Sequence, residues 1–377
     1  MNIRARAPLR IGLAGGGTDL SPYSDIYGGA ILNAAISMYA YVTIVTEDIR
    51  DIDLLNNNEQ LNAPVEIEFV SADRKEKFSC LIDHNLISLE INGDFDLHKG
   101  AFNRLLRDYR RELIFALNRI TKLEITTYVD APAGSGLGSS STLLVTILGA
   151  FREWLKFSLD EYQLAHLAYE IERIDLGMAG GKQDQCTAAF GGFNFMEFYK
   201  DNRVVVNPLR IKQEYLNELE FNIVLFYTGT SRLSSRIIEA QIKNADNNIS
   251  ISLEAMHGLK QQAILMKEAI LKGRFYQMGE LLDTGWQYKK RTALDVTSSL
   301  INKIYSAARQ AGASGGKISG AGGGGFMILY CPGNTRYKVI NRLQVFEGEF
   351  RRYHFVGDGL ITWRADRKQP FLKAVAC

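Results

Sequence analysis

The sequence predicts a mixed α+β protein of two domains, and three observations carry that reading. A chain of 377 residues is longer than one core ordinarily serves. Alternating, β-branched segments are interspersed with segments of helical period along its whole length. A charged, proline-containing stretch, 200–212 (KDNRVVVNPLRIK), separates strand-like runs near the middle. The expected division is 1–205 and 206–365, with a tail at 366–377.

The elements follow in order. Residues 3–13 alternate in part and read as a strand leading into Ala14-Gly15-Gly16-Gly17-Thr18-Asp19. Residues 30–46 end in a β-branched and aromatic run that favours a strand. Polar, Asn-rich residues 51–62 read as a loop, and 65–70 (VEIEFV) as an alternating strand. Helical period covers 100–118, and 123–129 (LEITTYV) is another strand. A glycine-rich loop, 130–141, then enters a helix over 142–155 with Leu144, Ile147, Leu148, Phe151 and Trp154 on one face. A further helix covers 158–176, capped near Ser158 or Asp160. Beyond the boundary, 221–227 (FNIVLFY) reads as a buried strand, and helices are expected over 234–243, 253–272 and 296–311. A strand at 326–331 follows a late glycine run. Residues 352–363 read as a closing hairpin around Gly357-Asp358-Gly359.

Composition narrows the function. The net charge is +2 and the pI about 8.2, so neither nucleic acid nor a membrane surface is an expected partner. Four dispersed cysteines without a CxxC pair read as free thiols. The first residues lack the apolar core of a signal peptide, and no apolar run reaches membrane-spanning length. A cytoplasmic location is expected.

The chemistry concentrates in glycine-rich loops. Pro132-Ala133-Gly134-Ser135-Gly136-Leu137-Gly138-Ser139-Ser140-Ser141 lies between a strand and an amphipathic helix. Glycine at alternate positions lets the backbone curl with its N–H groups inward, and the helix start adds unpaired N–H groups and a positive dipole end. Serine hydroxyls add donors to phosphate and oxygens for Mg²⁺. This pattern suits a polyphosphate. It is not a P-loop, because no lysine follows the last glycine. Residues 320–325 (GAGGGG) match GxGxxG, but they open into a strand and not a helix, so a dinucleotide site is not indicated.

The loop at Pro132–Ser141 resembles the second motif of the GHMP kinases, the family of galactokinase, homoserine kinase, mevalonate kinase and phosphomevalonate kinase. Residues 8–19 (PLRIGLAGGGTD) resemble the first motif and residues 317–326 (KISGAGGGGF) the third, in the family's order. The resemblance implies an N-terminal ribosomal-protein-like α/β domain that binds ATP through a left-handed β-α-β unit. It also implies a ferredoxin-like C-terminal domain, with the active site between the two.

It further implies roles for individual residues. Asp184, in Gly181-Lys182-Gln183-Asp184-Gln185, matches the catalytic base of galactokinase-like members, and Arg10 its pairing arginine. Pro132, Gly134, Ser135, Gly136, Leu137, Gly138, Ser139, Ser140 and Ser141 would hold the ATP phosphates. Mg²⁺ would take an oxygen from Ser139 or Ser140, Ser140 being preferred, and from Glu172, twelve residues before Asp184; Glu170 is the local rival. Gly16, Gly17, Thr18, Asp19, Gly322 and Gly323 would line the substrate. Lys290, in the run Lys289-Lys290-Arg291, would meet a phosphate on that substrate. The competing structural readings are a capping or turn aspartate for Asp184, a surface ion pair for Arg10, a solvated helix residue for Glu172 and an exposed face for the cationic run.

The wording of the first motif narrows the acceptor. Ala-Gly-Gly-Gly-Thr-Asp is similar to the motif of the heptose 7-phosphate kinases and of the sugar-kinase half of fucokinase; the galactokinase version carries Gly-Glu-His-Thr-Asp. The expected partner is a small-molecule sugar or sugar phosphate, phosphorylated on its anomeric hydroxyl, with a homodimer left open. A kinase for L-fucose or another aldose, and a non-enzymatic sugar sensor on the same fold, are the competing readings.

Overall fold

Residues 2–48, 64–83, 85–230, 234–247 and 249–365 are described in the computed structural model. The Asn-rich loop expected at 51–62 and the tail at 366–377 lie outside the described residues. In chain order the strands are β1 (Asn2–Ala14), β2 (Gly29–Asp48), β3 (Val65–Ser71), β4 (Glu76–Ile82), β5 (Ile120–Val129), β6 (Phe193–Phe198), β7 (Val204–Pro208), β8 (Ile223–Tyr227), β9 (Gly315–Ile318), β10 (Phe326–Tyr330), β11 (Glu349–Arg351) and β12 (Ile361–Ala365).

They form two sheets. The first runs β12-β1-β2-β5-β3-β4, with β6 also on β2 and β7 on β6. The second is antiparallel, in the order β11-β8-β10-β9. Its chain order is strand, helices, two strands, helix, strand, which is the split βαβ arrangement of a ferredoxin-like domain. The expected two-part α+β fold is therefore present. The expected boundary at 205/206 falls within β7, which pairs with β6 of the first sheet.

Burial along β1 explains how the halves join. Its first part alternates, with Ile3, Ala5 and Ala7 buried, whereas Pro8–Ala14 is buried throughout. An alternating strand has one wet face; a continuously buried one is covered on both. Leu9, Ile11 and Leu13 share a core with Leu225 and Ile328 of the second sheet and with Ala263 and Met266 of the helix Ser250–Leu271. The first glycine loop thus emerges from a strand clamped between the two domains.

Two helices differ from expectation in ways that matter for the site. The segment expected to be helical over 158–176 is α-helical only over Glu161–Glu170, capped by Asp160 in a reciprocal box with Gln163. Residues Ile171–Asp175 then form a π-helical turn. Such widened turns re-aim side chains and recur at functional sites. The helix expected over 100–118 breaks at Tyr109, whose φ of −129° leaves the helical region, into Asp96–Asp108 and Arg110–Leu117.

The closing hairpin at 352–363 is not formed. β11 pairs with β8 in the second sheet and β12 with β1 in the first, so the chain crosses between domains at this point. Paired strands and a Gly-Asp-Gly sequence look alike whether the strands meet each other or two different sheets. Among the described residues, no helix is long and apolar enough to cross a membrane.

Candidate active site

The three glycine loops converge on one cavity of about 550 Å³. The second loop is the hub. Gly136 has φ 81°, and a Cβ there would lie 2.3 Å from the carbonyl oxygen of Ser319 in the third loop. Gly138 has φ 78° and immediately precedes the helix Ser139–Leu155; a Cβ on it would lie 3.0 Å from Cγ of Asp184. Only glycine fits both the backbone angle and these approaches. The start of that helix, with its unpaired N–H groups, therefore faces the cavity beside Asp184.

Arg10, on β1, ties the loops together. Its Nε and Nη2 reach Oδ1 of Asp184 at 2.7 and 2.6 Å. Its Nη1 donates to the Gly136 carbonyl at 2.5 Å and to Ser319 Oγ at 3.3 Å. Arg10 is buried, whereas the Asp184 side chain keeps 22% of its surface exposed, toward the cavity. Asp184 sits in the first turn of the helix Gln183–Phe190. That helix start is fixed by Asp19, whose Oδ2 accepts the N–H groups of Lys182 at 2.9 Å and Gln183 at 3.2 Å.

The two candidate glutamates separate. Glu172 is fully enclosed by the π turn and lines the cavity. Its Oε2 accepts from Ser141 Oγ at 2.7 Å and from the Gln185 amide, and lies 3.5 Å from Arg173 Nη2. Burial pushes its carboxyl above the ordinary range, opposed by Arg173 and by the two hydrogen bonds. Glu170 turns the other way and pairs with Arg104. The hydroxyl against Glu172 belongs to Ser141; Ser139 and Ser140 line the cavity beside it.

This donor set fits Mg²⁺. It offers a carboxylate whose Oε1 carries none of the contacts above, and adjacent hydroxyls, all hard oxygens. Among the described residues no group of three or more His, Cys, Asp or Glu could hold a metal. A Mg²⁺ that keeps waters and phosphate oxygens needs no such group.

Several expected contacts are corrected. Thr18 is buried, with Oγ1 donating to the carbonyls of Gly15 and Ala30 and accepting from Ala30 N, so it braces the loop and does not face the cavity. Gly322 and Gly323 pack on Val296, Gly323 donating to its carbonyl at 2.7 Å. Gly320 and Ala321 line the cavity in their place. Ser135 and Leu137 are buried loop supports: Ser135 O accepts from Phe326 N, and Leu137 O from Arg10 N. Pro132 O accepts from Ser135 N at the base of the loop. Lys290 does not reach the site; it lies over the Trp286 ring, and Arg291 pairs with Glu254. The inward member of that run is Lys289, whose Nζ donates to Gly16 O at 3.0 Å and to Gln241 Oε1 at 3.3 Å. Successive helix residues are about 100° apart, so three consecutive lysine and arginine side chains cannot share one face. Gly16, Gly17 and Asp19 do lie at the cavity or against it.

Comparison with known proteins identifies the family. The chain matches the descriptions "GHMP kinases N terminal domain" over residues 96–192 and "GHMP kinases C terminal" over residues 266–347. It is 41% identical, over 96% of its length and 99% of the relative's, to a D-glycero-alpha-D-manno-heptose 7-phosphate kinase of Campylobacter jejuni. It is 27% identical to an L-fucokinase/L-fucose-1-P guanylyltransferase of Bacteroides fragilis, over 86% of this chain and 34% of that protein. A crystal structure of a D-glycero-D-manno-heptose 1-phosphate kinase from Bacteroides thetaiotaomicron is 42% identical, with a TM-score of 0.74, covering 97% of this chain and 99% of that one.

Proposed function

The chain belongs to the GHMP kinase family and is a phosphotransferase acting on a sugar, and from that premise we propose that it transfers the γ-phosphoryl group of ATP to the anomeric hydroxyl of D-glycero-D-manno-heptose 7-phosphate, giving the 1,7-bisphosphate. The observation that carries the reaction is the Asp184 carboxylate, held by Arg10 at the edge of the loop that would carry the nucleotide phosphates. The substrate class is supported by the names of the relatives at 41% and 42% identity.

On this reading Asp184 accepts the proton of the anomeric hydroxyl as its oxygen bonds to phosphorus and the bond to the ADP oxygen breaks. Positioned bases of this kind contribute roughly 10²–10⁴ in rate. Arg10 fixes the free direction of the carboxylate and places positive charge beside the transferring group. The N–H groups at Gly138–Ser141 cradle the phosphates. Glu172, Ser141 and Ser140 would hold Mg²⁺, which neutralises charge on the phosphate oxygens when bound. Asp19 and Gly17 face the acceptor. Free thiols at Cys80, Cys186 and Cys331 support a reducing, cytoplasmic setting.

The fucokinase relative supports the second reading, an aldose 1-kinase acting on a free sugar. ATP consumption against a panel of heptose 7-phosphate, sedoheptulose 7-phosphate, fucose, galactose and mannose separates the two, with Asp184→Asn as control. Turnover confined to heptose 7-phosphate supports the proposal; turnover of fucose in its place replaces it. A sugar sensor would bind ligand and consume no ATP.

A further inference from the structure

Two lysines behind the first loop have a setting that the phosphoryl-transfer scheme leaves unused. Lys317 lies on β9, opposite Ile328 of β10, and is 6% exposed. Lys289 lies in the last turn of the helix Met278–Thr292 and is 3% exposed. Their ammonium groups lie near consecutive glycines. A Cβ on Gly16 would lie 3.8 Å from Lys317 Nζ, and one on Gly17 would lie 3.0 Å from Lys289 Nζ.

Neither ammonium forms an ion pair among the described residues. Lys289 gives two of its N–H groups to neutral oxygens, on Gly16 and Gln241. Lys317 has no hydrogen bond and no ion pair among the described residues. The carboxylates nearby are engaged: Asp184 by Arg10, and Asp19 by the N–H groups of Lys182 and Gln183. Burying an ammonium without a partner costs several kcal/mol, so such a group ordinarily neutralises or receives a counter-ion. Burial, and the neighbouring cations Lys289 and Arg10, push Lys317 down to about 7. Burial pushes Lys289 down to about 8, with Asp19 opposing and Arg10 adding to the fall. Two desolvated cations against one loop, with Lys289 lining the cavity, suit a multiply charged oxyanion.

We infer that Lys289 and Lys317 seat the phosphate that the acceptor already carries, and that this seat makes the site prefer a sugar phosphate to a free sugar. The inference rests on the acceptor proposed above. A second phosphate source is ATP itself. The lysines lie against Gly16 and Gly17 of the first loop, whereas the loop assigned to the nucleotide is Gly134–Ser141, so the acceptor is the source favoured here.

Initial rates with heptose 7-phosphate and with the same heptose lacking phosphate test this in the wild type, Lys317→Met and Lys289→Met. The expected result is a fall of tenfold or more in the ratio of kcat/KM for the phosphorylated over the free sugar, carried by KM, with the KM for ATP moving less than threefold. Thermal melting of ligand-free Lys317→Met is expected at or above the wild-type temperature, because an unpaired buried charge has gone. An unchanged ratio overturns the inference, and so does a rise in the ATP KM that matches the rise for the acceptor. A lowered melting temperature together with equal loss on both acceptors marks Lys317 as structural and also overturns it. A wild type that ignores heptose 7-phosphate but uses another sugar phosphate refutes the proposed substrate alone; the ratio for that phosphate against its free sugar then decides the seat. A wild type that uses only free sugars refutes both.

Discussion

Arg10 and Asp184 stand 174 positions apart and form one closed pair, with Nε and Nη2 of the arginine both on Oδ1 of the aspartate. The remaining nitrogen, Nη1, holds the Gly136 carbonyl and Ser319 Oγ. One side chain therefore sets the distance between the base and the second loop. Asp184→Asn keeps the shape and removes the base, and kcat should fall by roughly 10²–10⁴. Arg10→Lys cannot reproduce the fork. It should lower kcat by at least tenfold, and the double variant should lose little beyond Asp184→Asn. Steady-state kinetics of the three variants check this; losses that multiply independently would mean that the pair does not act as a unit.

Asp19 acts through the helix that bears Asp184. Asp19→Ala strands the buried N–H groups of Lys182 and Gln183 and should lower stability by about 1–3 kcal/mol. It should also lower kcat, because the first turn that carries Asp184 loses its anchor. Asp19→Asn, which keeps an acceptor oxygen, should recover most of the stability. Urea unfolding read alongside kcat tests both; an Asp19→Ala protein as stable as the wild type would sink the anchoring role.

Glu172 and Glu170 make opposite forecasts. Glu172→Gln should raise the Mg²⁺ concentration for half-maximal rate by about tenfold or more, through loss of the ligand charge, without lowering the ligand-free melting temperature. Glu170→Gln should leave the Mg²⁺ requirement unchanged and lower the melting temperature by opening the Arg104 contact. A Mg²⁺ titration that shifts with Glu170→Gln and not with Glu172→Gln would reverse the assignment.

The lysine pair has a pH signature. The charged groups facing it are Asp19, Arg10 and each other. As pH rises through about 7 for Lys317 and about 8 for Lys289, each loses its charge in the ligand-free protein. KM for a phosphorylated acceptor should therefore rise between pH 7 and 9, while KM for ATP changes less. Lys317→Arg, whose charge persists, should flatten that rise. At Lys317 the unfolded chain binds more protons than the native one between about 7 and 10.5. Ligand-free stability should accordingly gain from these lysines as pH rises from about 7 to 9, and Lys317→Met should abolish much of that gain; above about 9 the buried thiols of Cys186 and Cys331, pushed up by burial, oppose it. A KM that stays flat from pH 7 to 9 in the wild type would contradict this.

Much of the fold was legible because its signals are local. The helix after the second loop was readable from Leu144, Ile147, Leu148, Phe151 and Trp154, all of which are buried. β5 and β10 stood out as dense β-branched or apolar runs between turns. The motifs pointed to residues that the fold brings to one cavity, namely Arg10, Asp184, Glu172, Gly134, Gly136 and Gly138–Ser141. What escaped depends on contacts distant in sequence. The helix Met278–Thr292 went unread, and with it the fact that Lys289, and not Lys290, faces inward. Nothing local says that Thr18 turns to the backbone of Ala30, or that Gly322 and Gly323 lean on Val296. The π turn at Ile171–Asp175, which sends Glu172 inward while Glu170 pairs with Arg104, has no composition signal. Lys317 was visible in the third motif, but its lack of a partner is a property of the packed structure.

Phosphorus NMR of the product formed from ATP, Mg²⁺ and D-glycero-D-manno-heptose 7-phosphate reads the proposed transfer at the reacting atom. A new phosphate resonance coupled to the anomeric proton is expected, with the original 7-phosphate signal retained, and it should be absent with Asp184→Asn. ADP formed without an anomeric ester, or an ester formed on free fucose and not on the heptose phosphate, would contradict the proposed transfer.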